Sequence, residues 1–207
     1  MDIIKKYYPF LTVSQANQFS SLFELYSEWN KKINVISRKD ISNLYTHHVL
    51  HSLSISEVIK FADDTKIIDI GCGGGFPSIP LAIMFPRADF HLVDSVGKKL
   101  KVCDAVSQSI GLSNIHTTHS RVEELKDYKC DFVISRAAMS MSELVKCSKP
   151  LVKKAGFNTL PNGIITLKGG DLQIEISSIS NPIKTWDISL FYSEEYFDGK
   201  KIIYIKI

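Results

Sequence analysis

Cysteine is scarce and dispersed: the 207 residues hold four, Cys72, Cys103, Cys130 and Cys147. No two form a CxxC pair, so the spacing fits neither a zinc site nor a disulfide scaffold. Scattered thiols of this kind point to a reducing compartment. No run approaches the roughly 20 apolar residues that span a bilayer, and residues 1–15 lack the apolar core of a secretion signal. An excess of one charge is missing too. The 25 Lys and Arg face 22 Asp and Glu, a balance that permits a nucleic-acid partner without demanding one. Internal repeats and low-complexity tracts are absent. What is there is a folded chain's ordinary balance, 44% hydrophobic and 23% charged. A domain of this length buries roughly 70% of its unfolded surface and needs no staples. A monomeric cytoplasmic protein is expected, without a metal or a membrane partner.

Residues 1–60 read as a helical N-terminal extension and residues 61–207 as one compact unit. Ser14 is placed to cap a helix in which Phe19, Leu22, Phe23, Leu25, Tyr26 and Trp29 recur at near-helical spacing. Asp40 is placed to cap a second, lined by Ile41, Leu44, Tyr45, His48 and Leu53. From residue 66 the pattern alternates. Strands are predicted over 66–70, 89–93, 114–117, 131–134 and 163–167, and helices over 97–110 and 141–149. Residues 186–191 and 201–207, joined by the polar stretch 193–200, predict a C-terminal β-hairpin. Alternating βα units imply an α/β fold, a mostly parallel seven-stranded sheet with helices on both faces.

Asp69-Ile70-Gly71-Cys72-Gly73-Gly74-Gly75-Phe76-Pro77 falls where the first strand turns into a helix. Glycines there let the backbone approach a ligand, and Pro77 suits the first helical position. A dinucleotide fingerprint counted from Gly71 needs glycine at Phe76, and counted from Gly73 it needs glycine at Ser78. DxGxGxG followed by a bulky residue is instead the form that cradles S-adenosylmethionine (SAM). Asp94 ends the second strand, where an acid accepts both ribose hydroxyls; it also suits a cap for the following helix. Ser120-Arg121-Val122-Glu123-Glu124 follows the third strand, where the adenine lies in this architecture.

The tip of the fourth strand, Ile134-Ser135-Arg136-Ala137-Ala138, narrows the chemistry. It carries no Asn/Asp-Pro-Pro-aromatic motif for an exocyclic amine. Neither Cys130 nor Cys147 is placed for nucleophilic attack, and no Lys-Asp-Lys-Glu set is available for ribose methylation. A guanine ring N7, whose lone pair is free at neutral pH, needs alignment and no deprotonation. Arg136 there can steer a phosphate or hold a guanine edge, and Lys168 at the end of strand five joins it on the substrate side. Lys98, Lys99 and Lys101 suit a phosphate-binding rim, and Lys31, Lys32, Arg38 and Lys39 add a basic cluster. His47, His48 and His51 show no evident carboxylate partner and do not read as a metal site; His48 reads as a packed or hydrogen-bonded histidine of the N-terminal helices.

Trp29-Asn30-Lys31-Lys32-Ile33-Asn34, His48 with Ser52-Leu53, DIGCGGGFPSIPLAI, LVDSVGKKLKV, SRVEEL and ISRA occur in order. On these motifs the chain resembles the RsmG family, also called glucose-inhibited division protein B, from about residue 20 to Gly169. The resemblance implies a class I (Rossmann-like) SAM-dependent methyltransferase acting on N7 of one guanosine in the 530 loop of 16S rRNA, within the small ribosomal subunit. It implies SAM contacts at Gly71, Phe76, Val122, Glu123 and Arg136; Gly73, Gly75 and Asp94 join them on the logic of the fold. The chain departs from the family at His51, often Asp, and at Val35-Ile36, usually Leu-Thr; both lie in the extension expected to dock RNA. Three rivals stay open: a small-molecule methyltransferase of the same fold, a non-catalytic SAM- or RNA-binding module, and an NAD oxidoreductase.

Overall fold

A computed structural model describes residues 1–125, 128–136 and 138–207; Ala137, within the expected ISRA motif, lies outside the described residues. Seven strands form one sheet: β1 Lys66–Ile70, β2 Asp89–Asp94, β3 Ile115–His119, β4 Phe132–Arg136, β5 Gly163–Gly169, β6 Ile183–Asp187 and β7 Lys200–Lys206. Their order is β3-β2-β1-β4-β5-β7-β6. The first five pair in parallel, and β7 runs antiparallel to both β5 and β6. The order reverses between β1 and β4, which opens a crevice at the carboxyl ends of the strands, where such sheets bind ligands.

Helices cover both faces: α1 Asp2–Tyr7, α2 Val13–Lys32, α3 His51–Leu53, α4 Ile55–Val58, α5 Ser78–Met84, α6 Gly97–Ser109, α7 Met141–Ser148 and α8 Gln173–Ser177. Strand alternation sorts the core into two layers. Ile67, Phe90, Leu92, Phe132 and Ile134 pack with Phe19, Leu22 and Tyr26 of α2 and with α5 and α6. Ile68, Ile70, Val93 and Val133 pack with Leu144 and Val145 of α7. The N-terminal extension therefore lies on one face of the sheet and shares its core.

Four local expectations are corrected. Thr12, not Ser14, caps α2, through a capping box with Gln15. Asp40 precedes a short 3-10 turn, Ile41–Asn43, without capping it; the chain then runs through a π-helical segment, Leu44–Leu50, into α3. The apolar run at 186–191 is strand only as far as Asp187, because Ile188–Leu190 turns into a 3-10 helix that buries Ile188 and leaves Leu190 exposed. Pro77 precedes α5 rather than starting it. No helix among the described residues is long and apolar enough to cross a membrane.

Candidate active site

The glycine loop leaves β1 at its carboxyl end. The Gly71 amide donates to the Val93 carbonyl at 2.9 Å, tying the loop to β2. Gly71 and Gly73 have φ of +69° and +56°, a region L side chains rarely adopt. A Cβ at Gly71 would sit 2.6 Å from Cβ of Ala138, whereas one at Gly73 would meet nothing within 4 Å. Gly71 is thus required by packing, and Gly73 faces open space. Gly75 is buried and turned inward onto Ile79. It shapes the loop from beneath.

Asp94 ties the glycine loop to the chain that leads into α6. One carboxylate oxygen accepts from the Gly73 amide at 2.9 Å and the other from the Val96 amide at 2.8 Å, just before α6. Each oxygen keeps lone-pair capacity for a further donor. Gly71, Asp94, Val122 and Glu123 line one crevice of about 230 Å³, joined by Ala138 of the strand-four tip and by Met139, which the sequence did not single out. Val122, Glu123 and Met139 also border an adjoining cavity of about 550 Å³. Its Leu125, Pro150 and Leu151 walls suit a flat aromatic ring. Cys147 donates to Glu123 at 3.7 Å at the edge of this cavity.

Phe76 and Arg136 stand apart from that crevice, against the N-terminal extension. The Phe76 ring packs on Tyr26 at 4.8 Å and on His48 at 5.3 Å, with the Arg136 guanidinium over it at 5.2 Å. Arg136 donates from Nη1 to the His47 carbonyl at 3.3 Å and from Nη2 to Nδ1 of His48 at 3.1 Å. The histidines do have a carboxylate partner. Asp40 accepts from His47 at 2.5 Å and from His48 at 2.8 Å. Burial works against the Asp40 charge, but hydrogen bonds from Asn43, His48 and His47 outweigh it and hold the carboxyl below its ordinary value. Burial, then the Arg136 charge, lower His48 to about 4 and His51 to about 3, so both rings are neutral at pH 7. Tyr196 closes the cluster by stacking on His47 at 3.7 Å. Among the described residues no group of three or more His, Cys, Asp or Glu could hold a metal ion.

Lys168 is largely buried; its amine donates to the Met139 carbonyl at 3.0 Å and pairs with Glu175 at 2.7 Å. It braces the segment that lines the crevice. Asp69, one strand position before the loop, is fully buried, which pushes its carboxyl up to about 7. Its Oδ2 accepts from the Ser78 hydroxyl at 2.7 Å while Oδ1 has no partner among the described residues. Lys98 and Lys101 are solvated on α6. In the extension, Lys31 and Arg38 rim a hollow of about 410 Å³, with Lys32 and Lys39 exposed nearby.

The family model described as rRNA small subunit methyltransferase G matches residues 15–187. Proteins named ribosomal RNA small subunit methyltransferase G are similar along the whole chain. That of Phocaeicola vulgatus is 50% identical over 100% of this chain and 99% of its own; that of Bacteroides thetaiotaomicron is 51% identical over 100% of both. Among solved structures, a SAM-dependent methyltransferase from Aquifex aeolicus superposes with a TM-score of 0.59, covering 80% of this chain and 93% of that one, at 10% identity. The fold is thus that of Rossmann-like SAM-dependent methyltransferases, and by sequence this chain belongs to the rRNA small subunit methyltransferase G family.

Proposed function

We propose that this protein transfers the methyl group of SAM to N7 of a guanosine in the 530 loop of 16S rRNA, as a monomer in the cytoplasm. One observation carries the reading: a crevice at the carboxyl edge of the sheet bounded by the glycine loop at Gly71, by Asp94 and by Glu123. The residues fit SAM. Asp94 has acceptor capacity for the ribose hydroxyls, and Glu123 with Val122 flanks an apolar slot for the adenine. Gly73 leaves room for close backbone approach, Gly71 and Gly75 set the loop's path, and Phe76 with Arg136 borders the donor end.

SAM supplies an electrophilic methyl on a sulfonium. The guanine N7 lone pair forms the new C–N bond as the C–S bond breaks, and the positive charge passes to the base. No proton moves. The protein's task is alignment, which supplies up to about 7–11 kcal/mol in favourable systems. Arg136 is the substrate-side group, and Lys168 positions the Met139 segment behind it. The thiols support this reading over pyrimidine C5 chemistry, since burial pushes Cys130 up to about 12 and raises Cys147. The exposed Lys31, Lys32, Arg38 and Lys39 supply the electrostatic footprint for the RNA backbone.

Labelled methyl transfer from SAM to 30S subunits lacking the modification, mapped by N7-methylguanine-specific strand cleavage, tests the proposal. A single cleavage in the 530 loop is expected. SAM binding without transfer to 30S subunits or free 16S rRNA would overturn it.

A further inference from the structure

Arg136 poses an electrostatic problem. It is a partly buried cation with no carboxylate within ion-pair reach among the described residues, its side-chain partners being the His47 carbonyl and the His48 imidazole. An uncompensated charge in such surroundings is costly. Two carboxylates act on it from a distance, Asp69 and Asp40, and Asp40 is the one linked to it by hydrogen bonds, because it accepts from Nε2 of His48 at 2.8 Å. This arrangement admits one tautomer. The Arg136 guanidinium can only donate, so Nδ1 of His48 must present its lone pair and Nε2 must carry the proton that Asp40 accepts.

We infer that Asp40 and His48 are positioning residues for methyl transfer: Asp40 locks His48 in the Nε2–H tautomer, and His48 aims the Arg136 fork at the substrate. The inference rests on the function proposed above. The guanidinium has five N–H donors, and this tether uses two of them, leaving an edge for a guanine or a phosphate. His47 strengthens the anchor, since it bonds the same carboxylate at 2.5 Å and offers its carbonyl to Arg136. The N-terminal extension thereby sets the direction of a side chain on β4, and RNA docking on the extension is mechanically joined to the active site.

Side-chain isosteres separate aiming from mere packing. In His48→Asn the amide oxygen occupies the place of Nδ1 and still accepts from Arg136. In His48→Gln the amide reaches the place of Nε2, keeps Asp40 and leaves Arg136 without its acceptor. Methyl transfer to 30S subunits by the full-length protein is measured for both variants and for Asp40→Asn, with kcat separated from the KM for SAM. His48→Asn is expected to retain most of the rate. His48→Gln and Asp40→Asn are expected to lose about 10- to 100-fold in kcat, with SAM affinity by calorimetry near wild type. Equal rates for His48→Asn and His48→Gln, both high or both low, would overturn the relay. Wild-type protein that transfers no methyl group to 30S subunits or free 16S rRNA would overturn the functional reading instead.

Discussion

Gly73 and Asp94, 21 positions apart, hold each other: the Gly73 amide donates to the Asp94 carboxylate at 2.9 Å. The acid expected to receive the ribose is also the clamp that fixes the loop expected to receive the rest of the cofactor. Asp94→Ala therefore removes a ligand contact and releases the loop together. SAM affinity by calorimetry should fall at least about tenfold, as befits loss of a charge-assisted hydrogen bond at about 1.5–3 kcal/mol. An unchanged affinity would remove Asp94 from the site.

Gly71 and Gly73 should respond differently to substitution. Gly71→Ala drives its new methyl to 2.6 Å from Cβ of Ala138 and adds backbone strain of about 1–3 kcal/mol; a lowered melting temperature and lost SAM binding are expected. Gly73→Val projects into open space but carries backbone strain of its own at φ +56°, so it should block cofactor approach with some fall in melting temperature as well. Retained SAM affinity in Gly73→Val would take the loop out of the argument.

Removing the Arg136 side chain should lower kcat for methyl transfer by at least about tenfold, and Arg136→Lys should not restore it. A point charge cannot reach both the His47 carbonyl and Nδ1 of His48 as a planar fork does. A wild-type rate on 30S subunits from either variant would contradict the role given to β4.

Buried Asp69 should make stability depend on pH with an unusual sign. Its folded pKa, pushed up to about 7, lies above the ordinary 3.8, so the folded state holds a proton that the unfolded chain releases. Its contribution is fully present below pH 3.8 and is lost as pH rises through about 7. Asp69→Asn, neutral throughout, should be less sensitive than wild type between pH 5 and pH 8 in urea unfolding. Identical pH slopes would show that Asp69 is ionised in the folded protein.

His51 acts in the opposite sense. Its folded value of about 3, against 6.5, means the unfolded chain takes up a proton that the folded state refuses. Stability from this group is present above pH 6.5 and falls as pH drops toward 3, by at most about 1.4 kcal/mol per pH unit for one proton. Replacing it by Phe, which keeps the ring against Tyr196 and Phe197, should flatten the acid limb of an unfolding series by one proton.

Much of the fold was legible. β1, β2, β4 and β5 are short apolar runs bounded by turn residues, and burial on both faces of a parallel sheet leaves that signature. The errors have local physical causes. Thr12 and Ser14 are equally good caps by type, but only Thr12 has a glutamine three residues on that can return the hydrogen bond. The run at 186–191 is apolar without being strand, because a 3-10 turn there needs only one buried anchor, Ile188. In the site, Gly71, Asp94, Val122 and Glu123 follow strand ends, so a strand prediction brings them to one edge.

The sequence by itself determined which residues meet at the sheet's carboxyl edge, because a glycine loop and an acid at successive strand ends need only local pattern to be placed. The junction at Arg136 was decided by tertiary structure alone. It draws Asp40 and His48 from the extension, Phe76 from the glycine loop and Tyr196 from the C-terminal region. These residues share no period and no motif. What joins them is a partly buried cation that must find its compensating charge, and only the packed chain shows that it reaches Asp40 through a histidine.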